Sequence, residues 1–274
     1  MEGIMSVVLM YHALYRGEDT SAIDQEDLPY AVSEEAFIQQ LDSLQNKRVG
    51  QFDQTESPDV VITFDDGHLS NLEIAAPLLL ERGLSALFFV TSGFIGKRAG
   101  FMDREQLATL AAMPGMLIGG HGVTHRFLDD LDERECRAEL QESREQLALM
   151  SGQECRSISF PGGRYNENTL NLLKDTGYWQ WFGSEIGTVE PVQSFLPDEV
   201  RPVNDQQLLV QNRRRPLERV AIRRSTTLEE FARMIGPDDA YYRDHQRRSQ
   251  AKALLRRVLG NRLYHGLYKF LSAR

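Results

Sequence analysis

The 274-residue sequence predicts an α/β fold whose parallel strands close into a (β/α) barrel. Two observations predict it. Short apolar, β-branched runs alternate with helical patterns through most of the chain. The residues able to carry chemistry gather where strands end: His12, Asp65 with Asp66, His121, and the Pro-Gly-Gly at 161–163. Four such ends suit a barrel, whose C-terminal strand ends form one functional face. A doubly wound sheet would concentrate them at one switch point.

The elements follow in order. SVVLMY reads as a first strand ending at His12. SEEAFIQQLDSLQNK reads as a helix with Ser33 as N-cap and Phe37, Leu41 and Leu44 on one face. DVVITF is the next strand. NLEIAAPLLLERG is helical, with Gly83 as its stop and Pro77 bending it or marking its start. SALFFV is a buried strand, REQLATLAA a helix, and GMLIGG a strand leading to His121. DERECRAELQESREQLALM is a long amphipathic helix, with Asp132 and Glu135 spaced as a capping box. RSISF is a strand and NENTLNLLKDTG a helix ending at Gly177. YWQWFG and ERVAIR are later strands, and TLEEFARMI a further helix.

The hydrophobic fraction of 41% is ordinary for a globular protein, and no apolar run is long enough to span a bilayer. The N-terminal stretch lacks the basic and small-residue features of a signal peptide, so a cytoplasmic location is expected. Cys136 and Cys155 are too few for a disulfide framework and fit a reducing compartment. The net charge of −9 hides an asymmetry. Residues 241–274 hold nine Lys or Arg and one acid, Asp244, while the rest of the chain is strongly acidic.

TFDDG ends a strand with two adjacent carboxylates, Asp65 and Asp66. They repel, and burial would make each harder to ionise. Exposure to water or a metal ion would resolve the conflict. HGVTH spaces His121 and His125 four apart, which puts two imidazoles on one side of a helical turn, within reach of one ion. Such pairs also occur on solvated surfaces. Two His with a carboxylate form a catalytic zinc set and also suit nickel, cobalt or iron.

The succession TFDDG, HGVTH and SFPGG resembles the NodB-type polysaccharide deacetylases, carbohydrate esterase family four, over about residues 7–235. The resemblance implies a distorted (β/α) barrel that removes acetyl groups from sugars with one divalent ion, zinc first. It implies that Asp65 is the catalytic base, that Asp66, His121 and His125 are metal ligands, and that Gly162 offers a backbone N–H to the oxyanion. The family's third motif often opens with an arginine that orients the base; Ser159 stands there, and Arg164 is displaced. The family's later aspartate motif and its Leu-x-His motif, source of the general acid, are not found. His12, in a Tyr-His dipeptide that some members share, is the candidate replacement. A packing role for His12 is the alternative.

Other residues have plainer readings. His68 could touch substrate, cap the next helix or be solvated. Trp179 and Trp181 could form a sugar platform or fill the core. His245 and His265 are expected to face solvent. Residues 251–271 place leucines at helical spacing opposite basic residues, so the division expected is a catalytic barrel over 1–240 and a basic amphipathic helical tail over 241–274. Residues 243–274 would suit an anionic membrane surface, at the inner face of the cytoplasmic membrane, or the acidic body. Nucleic acid is not an expected partner, because the body is acidic. The activity expected is deacetylation, of N-acetyl groups by the family leaning, from a polysaccharide, oligosaccharide or lipid-linked sugar. Phosphoester hydrolysis is a second reading, though its Asp-x-Asp pattern is missing. A non-catalytic glycan-binding relative without the acid is the third.

Overall fold

Hydrophobic alternation builds a parallel sheet whose two faces bury different layers. The computed structural model describes residues 5–52, 57–189, 200–204, 207–210, 215–236, 238 and 240–247. Among them are eleven strands: β1 Val7–Tyr11, β2 Leu14–Tyr15, β3 Val32–Ser33, β4 Val60–Phe64, β5 Ala86–Val90, β6 Met116–Gly120, β7 Ser157–Ser159, β8 Gln180–Phe182, β9 Val200–Asn204, β10 Gln207–Val210 and β11 Val220–Ala221. Seven form one parallel sheet in the order β11-β1-β4-β5-β6-β7-β8. Its register pairs Leu9 with Val220 on one side and with Ile62 on the other. The sheet curls until its edges meet. Phe182 of β8 bridges Leu217, just ahead of β11, with Leu217 N–H donating to Trp181 O at 2.7 Å and Gly183 N–H to Leu217 O at 2.9 Å. β2 pairs with β3, and β9 with β10, as separate ribbons.

The period of two along each strand sorts the core. Val8, Phe52, Val61, Leu87, Phe89, Phe182, Val189 and Leu217 fill the inside of the barrel. Their neighbours Val7, Leu9, Val60, Ile62, Ala86 and Phe88 face the larger layer under the helices.

The helices are α1 Glu34–Asp42, α2 Ala76–Glu81, α3 Arg104–Ala112, α4 Glu133–Ser151, α5 Glu167–Thr176 and α6 Leu228–Ile235. Ser33 Oγ accepts from Ala36 N–H and caps α1, as its position predicts. The helix stops at Asp42 rather than running on to Lys47. Ser43 Oγ donates back to Gln39 O, and Leu44 N–H turns to Leu41 O in a tighter turn. Before α2 the chain makes a π-helical turn over Asn71–Ala75, and Pro77 marks the start of the regular helix. α4 has the expected capping box, Asp132 Oδ1 accepting from Glu135 N–H at 2.8 Å, and ends at Gly152 with φ +72°.

Trp181 is fully buried in the helix-facing layer, and its Nε1–H donates to Tyr178 O at 3.2 Å. It fills the core. Trp179 is half-buried beneath the Arg156 guanidinium, 4.9 Å from its ring centre. Cys136 and Cys155 are free and buried, and burial pushes the Cys155 thiol up to about 12, far from a reactive thiolate. No helix among the described residues is long and apolar enough to cross a membrane.

Residues 240–247 are helical and continue the packed body. Tyr241 and Tyr242 are buried, and Tyr242 Oη donates to Met234 O at 2.6 Å. His245 is half-buried, its ring 4.4 Å from that of Tyr241, not simply facing solvent. His265 and the amphipathic stripe of the basic tail lie outside the described residues.

Replacing the buried indole leaves a large cavity. Trp181→Ala is expected to cost about 3–5 kcal/mol in urea unfolding. A loss under about 1 kcal/mol would mean that Trp181 is not a core residue.

Candidate active site

Strand β4 delivers two carboxylates to one end of the barrel, and the backbone sends them in opposite directions. Asp65 continues the ladder, its N–H donating to Tyr11 O at 2.9 Å. Its side chain turns into the barrel and is 3% exposed. Asp66 takes the left-handed conformation, φ +76°, which a short polar side chain tolerates. Gly67 follows at φ +88°, so the chain reverses at once and Asp66 faces outward over the strand ends.

Asp66 meets the two histidines of HGVTH. Its Oδ1 lies 3.3 Å from His121 Nε2 and 3.2 Å from His125 Nε2. One donor atom from each of the three residues falls within 4.8 Å of the others. The histidines converge through a loop, not the helical turn that their spacing suggested. Gly122 has φ +74° and His125 φ +63°, which a right-handed helix excludes. His121 is 2% exposed, and its Nδ1 lies 2.9 Å from Ser159 O. A carbonyl can only accept, so Nδ1 carries a proton and Nε2 is the ring nitrogen turned to the cluster.

This donor set fits a divalent cation. Asp66 Oδ1 is buried with no hydrogen bond among the described residues, although two ring nitrogens crowd it. Burial pushes the Asp66 carboxyl up, but the two imidazoles and the field of His12 outweigh burial and hold it well below the usual range. The carboxylate therefore stays charged, as a ligand must.

Asp65 has a different partner. Arg219, 1% exposed, reaches it from the segment that closes the barrel. Nη1 donates to Asp65 Oδ1 at 2.7 Å and Nη2 to Oδ2 at 2.8 Å, a bidentate pair. Nη2 also donates to Ser159 Oγ at 2.6 Å, Nε to Gly183 O at 2.6 Å and Nη1 to Thr63 Oγ1 at 3.2 Å. Ser159 Oγ–H in turn donates to Asp65 Oδ2 at 3.1 Å. Burial pushes the Asp65 carboxyl up, but Arg219 and His121 overcome it and hold the acid below its usual range.

Arg219 is the residue that the sequence reading missed. Ser159, where an arginine was expected, leaves room for the guanidinium to arrive from another strand. Arg164 does not serve; it pairs with Asp129 and Asp130 and lies over Phe127, 4.4 Å from the ring centre. A signal was present. Arg219 stands two residues from the inward-facing Leu217, just ahead of β11, where a charge needs a buried partner.

His12 follows β1, its ring 4.9 Å from Tyr30 and its carbonyl bound by Asn71 Nδ2 at 2.9 Å. Its Nδ1 is buried without a hydrogen bond among the described residues. Gly162 has φ +61°, and a Cβ there would lie 2.6 Å from Phe127 Cε1, so only glycine fits. His68 is buried rather than solvated. Its Nδ1 accepts from Ser70 N–H at 3.2 Å, and its Nε2 donates to Ala22 O at 3.1 Å, tying the loop before β3 to the site. A cleft of about 410 Å³ opens beside Asp66 and His125, walled by Asp24, Asp27, Phe94 and Arg98.

The Asp–His–His cluster lies at the C-terminal strand ends of a parallel (β/α) barrel, the face where such folds carry their active sites. Residues 52–181 match the profile of the polysaccharide deacetylase family, the family that the motifs of the chain resemble. The Bacillus subtilis (strain 168) protein YxkH, named for its likeness to polysaccharide deacetylases, is 34% identical over 128 residues. That match covers 47% of this chain and 45% of the relative, so the chain spans less than half of that protein's length. Among solved structures, Streptococcus pyogenes deacetylase PplD superposes with a TM-score of 0.66 and 21% identity, over 86% of this chain and all of that one. A polysaccharide deacetylase from Bacillus cereus gives 0.65 and 21%, over 85% and 69%. At these identities the structures establish the fold.

Removing Arg219 leaves a buried carboxylate unpaired. Arg219→Met is expected to destabilise by about 3–5 kcal/mol. Arg219→Met combined with Asp65→Asn should lose less than the two single losses added, read by a double-mutant cycle in urea. Strict additivity would show that the pair is not coupled.

Proposed function

We propose that the protein is a metal-dependent hydrolase that removes N-acetyl groups from an amino sugar in a polysaccharide, oligosaccharide or lipid-linked glycan. One observation carries the reading. Two adjacent carboxylates are both held ionised, one against two imidazoles and the other against a buried arginine. Asp66, His121 and His125 would hold one divalent ion, with zinc best matched to two imidazoles and a carboxylate. Such an ion lowers the pKa of a bound water and polarises a carbonyl oxygen.

The chain's own groups supply the remaining work. Asp65 takes a proton from the attacking water as its oxygen bonds to the acetyl carbon. Oδ1 accepts one bond from Arg219 and so retains a lone pair for this. Gly162, held in a left-handed turn by Phe127, offers its backbone N–H to the developing oxyanion. The C–N bond then breaks, and the amine needs a proton to leave. His12 is the proposed donor; it acts on both carboxylates through its field, and its Nδ1 has no hydrogen bond among the described residues. Acetate and a free amino sugar are the products.

Acetate release from N-acetylglucosamine oligosaccharides tests the assignment. Asp65→Asn should lower turnover at least 10²-fold while leaving metal content unchanged, and His12→Ala should do the same. Turnover by Asp65→Asn at the wild-type rate would refute the base. Unchanged turnover by His12→Ala would remove that residue from the reaction.

A further inference from the structure

His121 and His125 are anchored differently. His121 leaves strand β6 directly, with its N–H donating to Val90 O at 3.0 Å and its Nδ1 bound to Ser159 O. His125 is reached only through Gly122, Val123 and Thr124, and its side chain is 34% exposed. Its left-handed backbone is unfavourable for a residue with a Cβ. Something must hold that loop for the two imidazoles to share one centre.

One face of the loop is held by backbone. Ser92 N–H donates to Gly122 O at 3.1 Å and Gly93 N–H to Val123 O at 2.9 Å. The loop also donates hydrogen bonds to a side chain of another element. Glu139, in the middle of α4, is 7% exposed. Its Oε2 accepts from Val123 N–H at 2.6 Å and Thr124 N–H at 3.0 Å, and its Oε1 from Thr124 Oγ1 at 2.5 Å. A Cβ on Gly122 would lie 2.9 Å from Glu139 Oε2, so the carboxylate fits closely under the loop. Glu139 also breaks the pattern of its helix. It sits on the buried face with Cys136, Leu140, Ser143 and Leu147, where an acid has no reason to be unless it has work there.

We propose that Glu139 is a positioning residue of the metal site, its buried carboxylate setting the loop that places His125 against His121 and Asp66. The inference rests on the metal-site reading above. It concerns the hydrogen bonds of the carboxylate rather than its charge. Glutamine can repeat the pattern, its Oε1 taking both backbone N–H groups and its Nε2–H donating to Thr124 Oγ1. Alanine leaves two backbone donors bare, and aspartate, one methylene shorter, cannot reach both.

Zn²⁺ titration of the full chain tests this calorimetrically, at a temperature where circular dichroism shows every variant folded. Glu139→Ala and Glu139→Asp should bind Zn²⁺ about 10–100-fold more weakly than wild type, as loss of a group supporting a ligand does. Glu139→Gln should stay within about threefold of wild type, the rescue that distinguishes bonding from charge. A purely structural Glu139 would instead lower the unfolding temperature of the metal-free protein and leave Zn²⁺ affinity unchanged, and that result would overturn the inference. So would equal losses in the glutamine and alanine variants. Should Glu139→Ala not fold, the aspartate and glutamine variants decide between the same outcomes. Wild-type protein that binds no Zn²⁺ would refute the metal-site reading itself. Wild-type protein that binds, alongside Glu139→Ala and Glu139→Asp that bind equally well, would refute only the role of Glu139.

Discussion

The bidentate pair between Asp65 and Arg219 is the constraint around which the site is arranged. A charged pair at the top of a barrel core is tolerable only if nearly every polar atom is used, and here the guanidinium reaches Asp65, Ser159, Gly183 and Thr63. Those partners lie on, or one residue past, three strands: β4, β7 and β8. The pair therefore does two things at once: it ties the closing segment to β4, and it commits Asp65 to the interior.

Once Asp65 is committed inward, Asp66 must point the other way. The strand supplies the alternation, and the left-handed turn at Asp66 and Gly67 completes the divergence. Neither carboxylate is left as a bare buried charge. Asp65 has arginine, and Asp66 has two imidazoles around an oxygen with no hydrogen bond among the described residues. The second arrangement is poor as a set of hydrogen bonds and good as a set of metal ligands. Of the groups proposed to activate water and to protonate the amine, Asp65 lies within the barrel and His12 follows β1.

Much of this was legible in the sequence because it depends on local pattern. The strand runs before His12, Asp65 and His121 appear as read, and the capping residues Ser33 and Asp132 do what their types predict. What was not legible depends on distance along the chain. Arg219 is 154 residues from its partner, and no spacing rule links them. Glu139 looks like any acid on a charged helix until the HGVTH loop is laid over it. The loop itself was misread as helical, because a spacing of four fits a helix equally well and the left-handed turns at Gly122 and His125 leave no mark in hydrophobic periodicity.

The two aspartates are proposed to have separate duties, Asp66 to hold an ion and Asp65 to move a proton. Metal content, measured by mass spectrometry on purified wild type, Asp66→Ala, His121→Ala and Asp65→Asn, tests this division most directly. About one divalent ion is expected in the wild type, with its loss in Asp66→Ala and His121→Ala and its retention in Asp65→Asn. A wild type that takes up no ion after reconstitution with zinc, or an Asp65→Asn variant that loses it as fully as Asp66→Ala, would contradict it.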